Sequence, residues 1–128
     1  MHELAVCQGL IEQVGRIARQ HDARRIISIT IRVGPLSGVE PALLESAYPL
    51  ASAGTPAAQA RFIVERSGIR VQCLECGAES QAQITRLLCG SCGHWRVRVL
   101  SGEELLLASV ELERAEESQG ALSGVGSM

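Results

Sequence analysis

Between Glu3 and Gln20 the apolar residues recur every three or four positions. Cys7, Leu10, Ile11, Val14, Ile17 and Ala18 share one stripe, while Glu12, Gln13, Arg16 and Arg19 face away. That spacing predicts an amphipathic helix over residues 3–20, closed by His21-Asp22. Its interior glycines, Gly9 and Gly15, each disfavour the helix by about 1 kcal/mol relative to alanine, so packing rather than propensity must hold it. From Arg24 the period shortens to two. Ile27, Ile29, Ile31 and Val33 alternate with Ser28, Thr30 and Arg32, as on a half-buried strand. Gly34 to Gly38 turns the chain, and Glu40-Pro41 opens a second helix, since proline is tolerated in the first turn and an acid is favoured there. Leu43, Leu44, Ala47 and Tyr48 form its expected buried face. Pro49 cannot donate an interior hydrogen bond, which predicts a kink or stop near Tyr48. Gly54-Thr55-Pro56 is a breaker.

Two further strands are predicted, one over 60–66 with Phe62 and Val64 facing alike, and one over 105–113 with Leu106, Ala108, Val110 and Leu112 on one side. All the paired cysteines lie between them. The expected architecture is therefore α+β: a small sheet of about three strands with two helices, interrupted by an inserted zinc ribbon. The main domain is expected over 1–68 and 100–114, the ribbon over 69–99, and a disordered Gly/Ser-rich tail over 115–128.

Composition narrows the possibilities. Aromatic residues are only 2% of the chain, so the core must come from Ile, Leu, Val and Ala, and a metal staple would help so modest a core. All twelve cationic residues are arginine, and fourteen acids outnumber them. That balance argues against a general binder of nucleic acid or anionic membrane, whose affinity comes from cationic excess. No apolar run approaches the roughly 20 residues that cross a bilayer, and the start MHELAVCQGL does not resemble a secretion signal. A cytoplasmic location is expected, where Cys-x-x-Cys pairs are metal ligands or redox groups more often than disulfides.

Cys73-Leu74-Glu75-Cys76-Gly77 and Cys89-Gly90-Ser91-Cys92-Gly93 are two copies of C-x-x-C-G, with twelve residues between Cys76 and Cys89. Two residues between thiolates let both sulfurs of one turn point at one ion, and the following glycine supplies the positive φ that such a turn often needs. Two such knuckles present the four sulfurs that Zn(II) prefers, and the alternating flanks 69–72 and 95–99 suit a ribbon. With all four positions filled by sulfur, the zinc would be structural. The competing reading, two redox pairs, expects a cysteine motif that opens a helix after a strand; these lie in Gly-rich turns. His94 could replace a thiolate, but a surface histidine beside the knuckle is the simpler reading. Residues 61–98 carry six Arg against three Glu, and Zn(II) with four thiolates contributes about −2, so little cationic excess remains for nucleic acid. Trp95 alone is a poor stacking platform.

The chain start offers a second chemistry. A lone histidine near a terminus is ordinarily a frayed end. Yet the α-amine, the His2 amide nitrogen and the His2 imidazole can close adjacent chelate rings, a nitrogen-rich and nearly planar set that suits Ni(II) or Cu(II). Glu3, or Glu40 from the turn, could add a carboxylate. Cys7 reads as core and His21 as a helix-end residue. No G-x-x-x-x-G-K-[ST] loop is present, and no nucleophile stands with a base and an orienting acid, so no enzymatic activity is expected.

Taken together, MHEL, an amphipathic helix, IRVGPLSGVEPALL, two C-x-x-C-G knuckles and ELLLASVELE resemble the HypA/HybF family of hydrogenase nickel-incorporation proteins across about residues 1–113. The resemblance implies a nickel metallochaperone acting in [NiFe] hydrogenase maturation. It implies the GTPase HypB and the hydrogenase large-subunit precursor as partners, and in some organisms urease maturation, with neither nucleic acid nor membrane. By the same resemblance His2 is the nickel ligand, Glu3 the acid beside it and Glu40 a nearby acid, while Cys73, Cys76, Cys89 and Cys92 hold Zn(II). A zinc-ribbon adaptor for protein or nucleic acid, without nickel, is the alternative.

Overall fold

Helix α1 spans Glu3–Gln20, the range that the apolar stripe predicts. The computed structural model describes residues 2–114; the tail expected over 115–128 lies outside them. Cys7, Ile11 and Val14 are buried, Leu10, Ile17 and Ala18 half-buried, and Asp22 closes the helix with a φ of 52°. Strand β1 (Ala23–Val33) follows, then α2 (Pro41–Ser52), β2 (Arg61–Arg66), β3 (Ile69–Cys73), β4 (Glu79–Ala82), β5 (Val97–Ser101) and β6 (Leu105–Arg114). Two helices thus accompany two three-stranded sheets, ordered β2-β1-β6 and β4-β3-β5. The chain divides into two compact units: Met1–Ile31, Glu40–Val64 and Leu107–Met128 form one, Arg32–Val39 and Glu65–Leu106 the other.

In the first unit α1 packs on α2, and their starts are joined twice. The Cys7 thiol points at the Leu44 carbonyl (3.5 Å), and the Glu40 N–H donates to Glu3 Oε2 (3.1 Å). Helix α2 does not stop at Pro49 but continues to Ser52. Leu44, Tyr48 and Ser52, four residues apart, are all buried, and the Tyr48 hydroxyl donates to the Ala57 carbonyl at 2.6 Å. That anchoring holds the last turn although proline removes one of its hydrogen bonds. Tyr48 also stacks on Phe62, with centroids 4.2 Å apart, so the chain's single tyrosine and single phenylalanine meet in one contact. Leu43, expected in this face, is instead half exposed.

The alternation along β1 breaks between Ile26 and Ile29. Ile26, Ser28, Ile29 and Ile31 are buried, while Ile27, expected inward, is 38% exposed. Ser28 can be buried because its hydroxyl donates to Glu111 Oε1 at 2.9 Å, a partner 83 residues away that no local periodicity reveals. On β6, Val110 and Leu112 are half-buried as expected, but Leu107 takes the half-buried position expected of Leu106.

In the second unit β3 pairs antiparallel with both β4 and β5, with a register irregularity between Arg70 and Val71 opposite β5. Ile69, Val71 and Cys73 are its buried side. At the base of this sheet two backbones nearly touch. Gly34 N donates to the Glu104 carbonyl (2.8 Å) and Leu36 N to the Gly102 carbonyl (2.7 Å), so a Cβ on Gly34 would lie 2.1 Å from the Gly102 oxygen. Gly102 itself has a φ of 124°. The Glu104 carboxylate completes the junction, accepting from the Ser67 hydroxyl (2.6 Å) and from Gly102 N (2.8 Å). These bonds hold its carboxyl below the usual carboxylate range, the Ser67 hydroxyl contributing most.

Candidate metal centre

Strand β3 delivers Cys73 directly into a tight turn whose exit is Gly77, with φ at 79°. The turn points successive amides at the first sulfur: Glu75 N at 3.3 Å and Cys76 N at 3.4 Å from Cys73 Sγ, with Gly77 N on the Cys73 carbonyl at 3.1 Å. The second knuckle repeats this. Ser91 N and Cys92 N each lie 3.3 Å from Cys89 Sγ, Gly93 N is 2.9 Å from the Cys89 carbonyl, and Gly93 has a φ of 77°. Glycine is required after each second cysteine because a Cβ would strain that left-handed backbone.

Two further ties fix the knuckles in the second unit. Leu74 N donates to the Arg96 carbonyl at 2.9 Å, reinforced by the exposed Arg96–Glu75 ion pair, and Gly90 N donates to Ser80 Oγ at 2.9 Å. A Cβ on Gly90 would sit 3.0 Å from the Ser80 Cβ. The sequence reading did not single out Ser80, Gly90 or the Gly34–Gly102 approach. The only available signal was a glycine inside the second knuckle, between the cysteines, where the first knuckle has leucine.

The four sulfurs converge. Cys73, Cys76, Cys89 and Cys92 present ligand atoms all within 4.8 Å of one another. Across the knuckles, Cys73 Sγ lies 3.6 Å from Cys92 Sγ, and Cys76 Sγ 3.6 Å from Cys89 Sγ. A tetrahedron of thiolates around Zn(II) at about 2.3 Å has sulfur–sulfur edges of about 3.8 Å, so the cluster fits zinc. Cys73 and Cys89 are buried; Cys76 and Cys92 are exposed. The amides of Cys92 and Ser91 bring the Cys89 thiol down to about 6, and those of Cys76 and Glu75 lower that of Cys73. The Cys92 thiol behaves oppositely. The His94 amide lowers it, but hydrogen bonding to the Cys73 sulfur and then burial outweigh that and push it up to about 12. Each knuckle thus pairs a thiol shifted down with one shifted up: the Ala78 amide lowers Cys76, but hydrogen bonding to the Cys89 sulfur and burial outweigh it. A bound dication would favour the ionised form of all four. His94 is half-buried; its Nδ1 accepts from Arg96 N at 3.0 Å and its ring stacks beside Trp95.

At the other end of the sequence, His2 is the exposed N-cap of α1, and its carbonyl accepts the first helical bond from Val6 N at 2.9 Å. Glu3 is buried, and its carboxyl is held below the usual range, first by the amino terminus and next by the Glu40 amide. Glu3 and Glu40 therefore meet through the backbone of Glu40, whose own residue is exposed. Among the described residues the four cysteines are the single group of three or more metal-ligating side chains; His2, Glu3 and Glu40 do not converge into another.

Among the described residues no helix is long and apolar enough to cross a membrane. Comparison with known proteins gives concordant results. A family model described as "Hydrogenase/urease nickel incorporation, metallochaperone, hypA" matches residues 1–112. A relative from Nitrosospira multiformis, named hydrogenase maturation factor HypA, is 50% identical over 112 residues, 88% of this chain and 97% of that protein. One of the same name from Aquifex aeolicus is 36% identical over 113 residues, 88% of this chain and 98% of its own length. The solution structure of the Ni metallochaperone HypA from Helicobacter pylori matches with a TM-score of 0.63 at 22% identity, covering 89% of this chain and 99% of that one, which bears on the fold alone. With residues 1–112 matched by the family model and four sulfurs gathered where its two knuckles meet, the chain belongs to the HypA family of nickel metallochaperones for hydrogenase maturation.

Proposed function

We propose that this protein carries Ni(II) at Met1-His2-Glu3 and delivers it to a [NiFe] hydrogenase large-subunit precursor, while Zn(II) bound by Cys73, Cys76, Cys89 and Cys92 is structural. The observation that carries the nickel assignment is the situation of His2. Its imidazole is exposed and has no hydrogen-bond partner among the described residues, and as N-cap its amide N–H is not needed by the helix. Nickel can therefore displace that amide proton without breaking a helical hydrogen bond, and the α-amine and imidazole complete a nitrogen-rich set. Glu3 contributes negative charge close by, and Glu40 stands behind it. A site assembled at a chain start can open as readily as it closes, which delivery requires.

On this reading the chain is a carrier and not an enzyme, works in the cytoplasm, and hands its cargo on with the GTPase HypB, with urease maturation as a further outlet. Residues 1–68 and 100–114 act as the nickel domain and 69–99 as the zinc ribbon. Calorimetric titration of the zinc-loaded protein with Ni(II) tests it. His2→Ala is expected to abolish one equivalent of binding, a loss of at least 100-fold in affinity, with zinc content and circular dichroism unchanged. Unaltered binding in His2→Ala would leave a zinc-ribbon adaptor as the better reading.

A further inference from the structure

The second half of α1 and the start of β1 border an open groove of about 500 Å³ within the first unit. Its lining is mostly apolar and includes the buried Ile11 and Ile26 and the exposed Pro56. Four arginines, Arg16, Arg19, Arg24 and Arg25, are among its lining residues, against one acidic residue, Glu12. A cationic groove on a chain of net charge −2 is a local departure from the overall balance.

Part of that charge is answered from within. Arg24 Nη2 donates to Glu113 Oε2 at 2.9 Å, and Arg25 Nε lies 2.9 Å from Glu113 Oε1 without the alignment of a hydrogen bond. Both arginines remain more than half exposed, so these pairs hold them only weakly. Arg16 and Arg19 have no ion-pair partner among the described residues. Gly15 leaves room beside them: a Cβ there would stand 3.5 Å from Arg19 Nη1.

We propose that this groove docks an acidic segment of a protein partner, its carboxylates taken by Arg16 and Arg19 and an aliphatic side chain between them by the apolar lining. A guanidinium fork matches a carboxylate in two parallel hydrogen bonds, and an apolar lining beside the arginines favours a peptide. Nucleic acid fits less well, because none of the lining residues is aromatic and the groove offers no platform on which bases could stack. Arg16 lies about 20 Å along α1 from His2 at the helical rise per residue, so an occupied groove leaves the chain start open. The inference does not depend on nickel, since its readout is peptide binding.

The test titrates the full-length zinc-loaded protein into a fluorescein-labelled peptide, Glu-Leu-Glu-Glu-Leu-Glu, and follows anisotropy at low salt. Binding is expected, weakened at least ten-fold by Arg16→Glu with Arg19→Glu, weakened to a lesser extent by Arg16→Gln with Arg19→Gln, and lost when every Glu of the peptide is Gln. Absence of binding, equal affinity in both double variants and the wild type, or equal binding of the Gln peptide overturns the proposal. Displacement of the peptide by an equimolar twelve-residue oligothymidylate overturns it in favour of a phosphate ligand. A ten-fold gain in affinity in Glu116→Gln with Glu117→Gln overturns it in favour of the chain's own C-terminal segment.

Discussion

Replacing Cys89 with serine is expected to strip the protein of its zinc, from about one equivalent per chain to almost none by elemental analysis, and to abolish the ordered signal of the β4-β3-β5 sheet. The effect is large because a hydroxyl is a poor zinc ligand and because structural zinc sites in small modules carry apparent binding energies of about 10–16 kcal/mol. Little else in the second unit can compensate. Its buried apolar side chains are essentially Val33, Ile69 and Val71, joined by Cys73 and Cys89 themselves. Cys7→Ser provides the contrast: that thiol belongs to the α1–α2 contact in the first unit, so the variant should keep its full zinc complement. Acid should mimic the ligand loss. Zinc requires four thiolates, and Cys92 holds its proton up to about 12 in the metal-free cluster, so metal uptake at neutral pH releases protons and occupancy falls as the pH falls. Zinc retention measured by a chromophoric chelator between pH 8 and pH 5 checks the sign.

Gly34→Ala is expected to destabilise the folded protein by about 3 kcal/mol or more, at the upper end of overpacking effects, read as a lowered urea midpoint at constant zinc occupancy. The new methyl group would stand 2.1 Å from the Gly102 oxygen and 2.4 Å from its carbonyl carbon, both backbone atoms that cannot swing aside. Relief requires the two strands of chain to part, which breaks Gly34 N to Glu104 O and Leu36 N to Gly102 O together. Gly9→Ala should do the reverse. Nothing lies within 4 Å of a Cβ at that exposed position of α1, so alanine is expected to stabilise by about 0.5–1 kcal/mol.

These two glycines also illustrate what a single sequence discloses. Gly9 was legible as a helix interior because the stripe from Cys7 to Ala18 set the period around it. Gly34 read as a turn residue, yet its requirement is a close approach to Gly102, 68 positions on, which no local pattern encodes. The same division holds elsewhere. Helix α1 and the knuckles were legible, the first through its 3.6-residue period and the second because tetrahedral sulfur chemistry fixes a spacing. The persistence of α2 past Pro49 was not, since it depends on Tyr48 meeting Ala57 and Phe62. Nor was the burial of Ser28 in place of Ile27, which needs Glu111. At the chain start, the residue types suggested a nickel site, while the bond from the Glu40 backbone to Glu3 could only come from the packing of two helices.

Under the proposed function two ions are held by different chemistries, sulfur in the ribbon and nitrogen at the chain start. Nickel K-edge X-ray absorption on zinc-loaded protein with one added equivalent of Ni(II), comparing the natural chain with His2→Ala, addresses that division directly. Nitrogen and oxygen scatterers alone are expected around nickel, with the imidazole contribution present in the natural chain and gone in His2→Ala. Sulfur in the first coordination sphere, or an imidazole signal indifferent to His2, would contradict it.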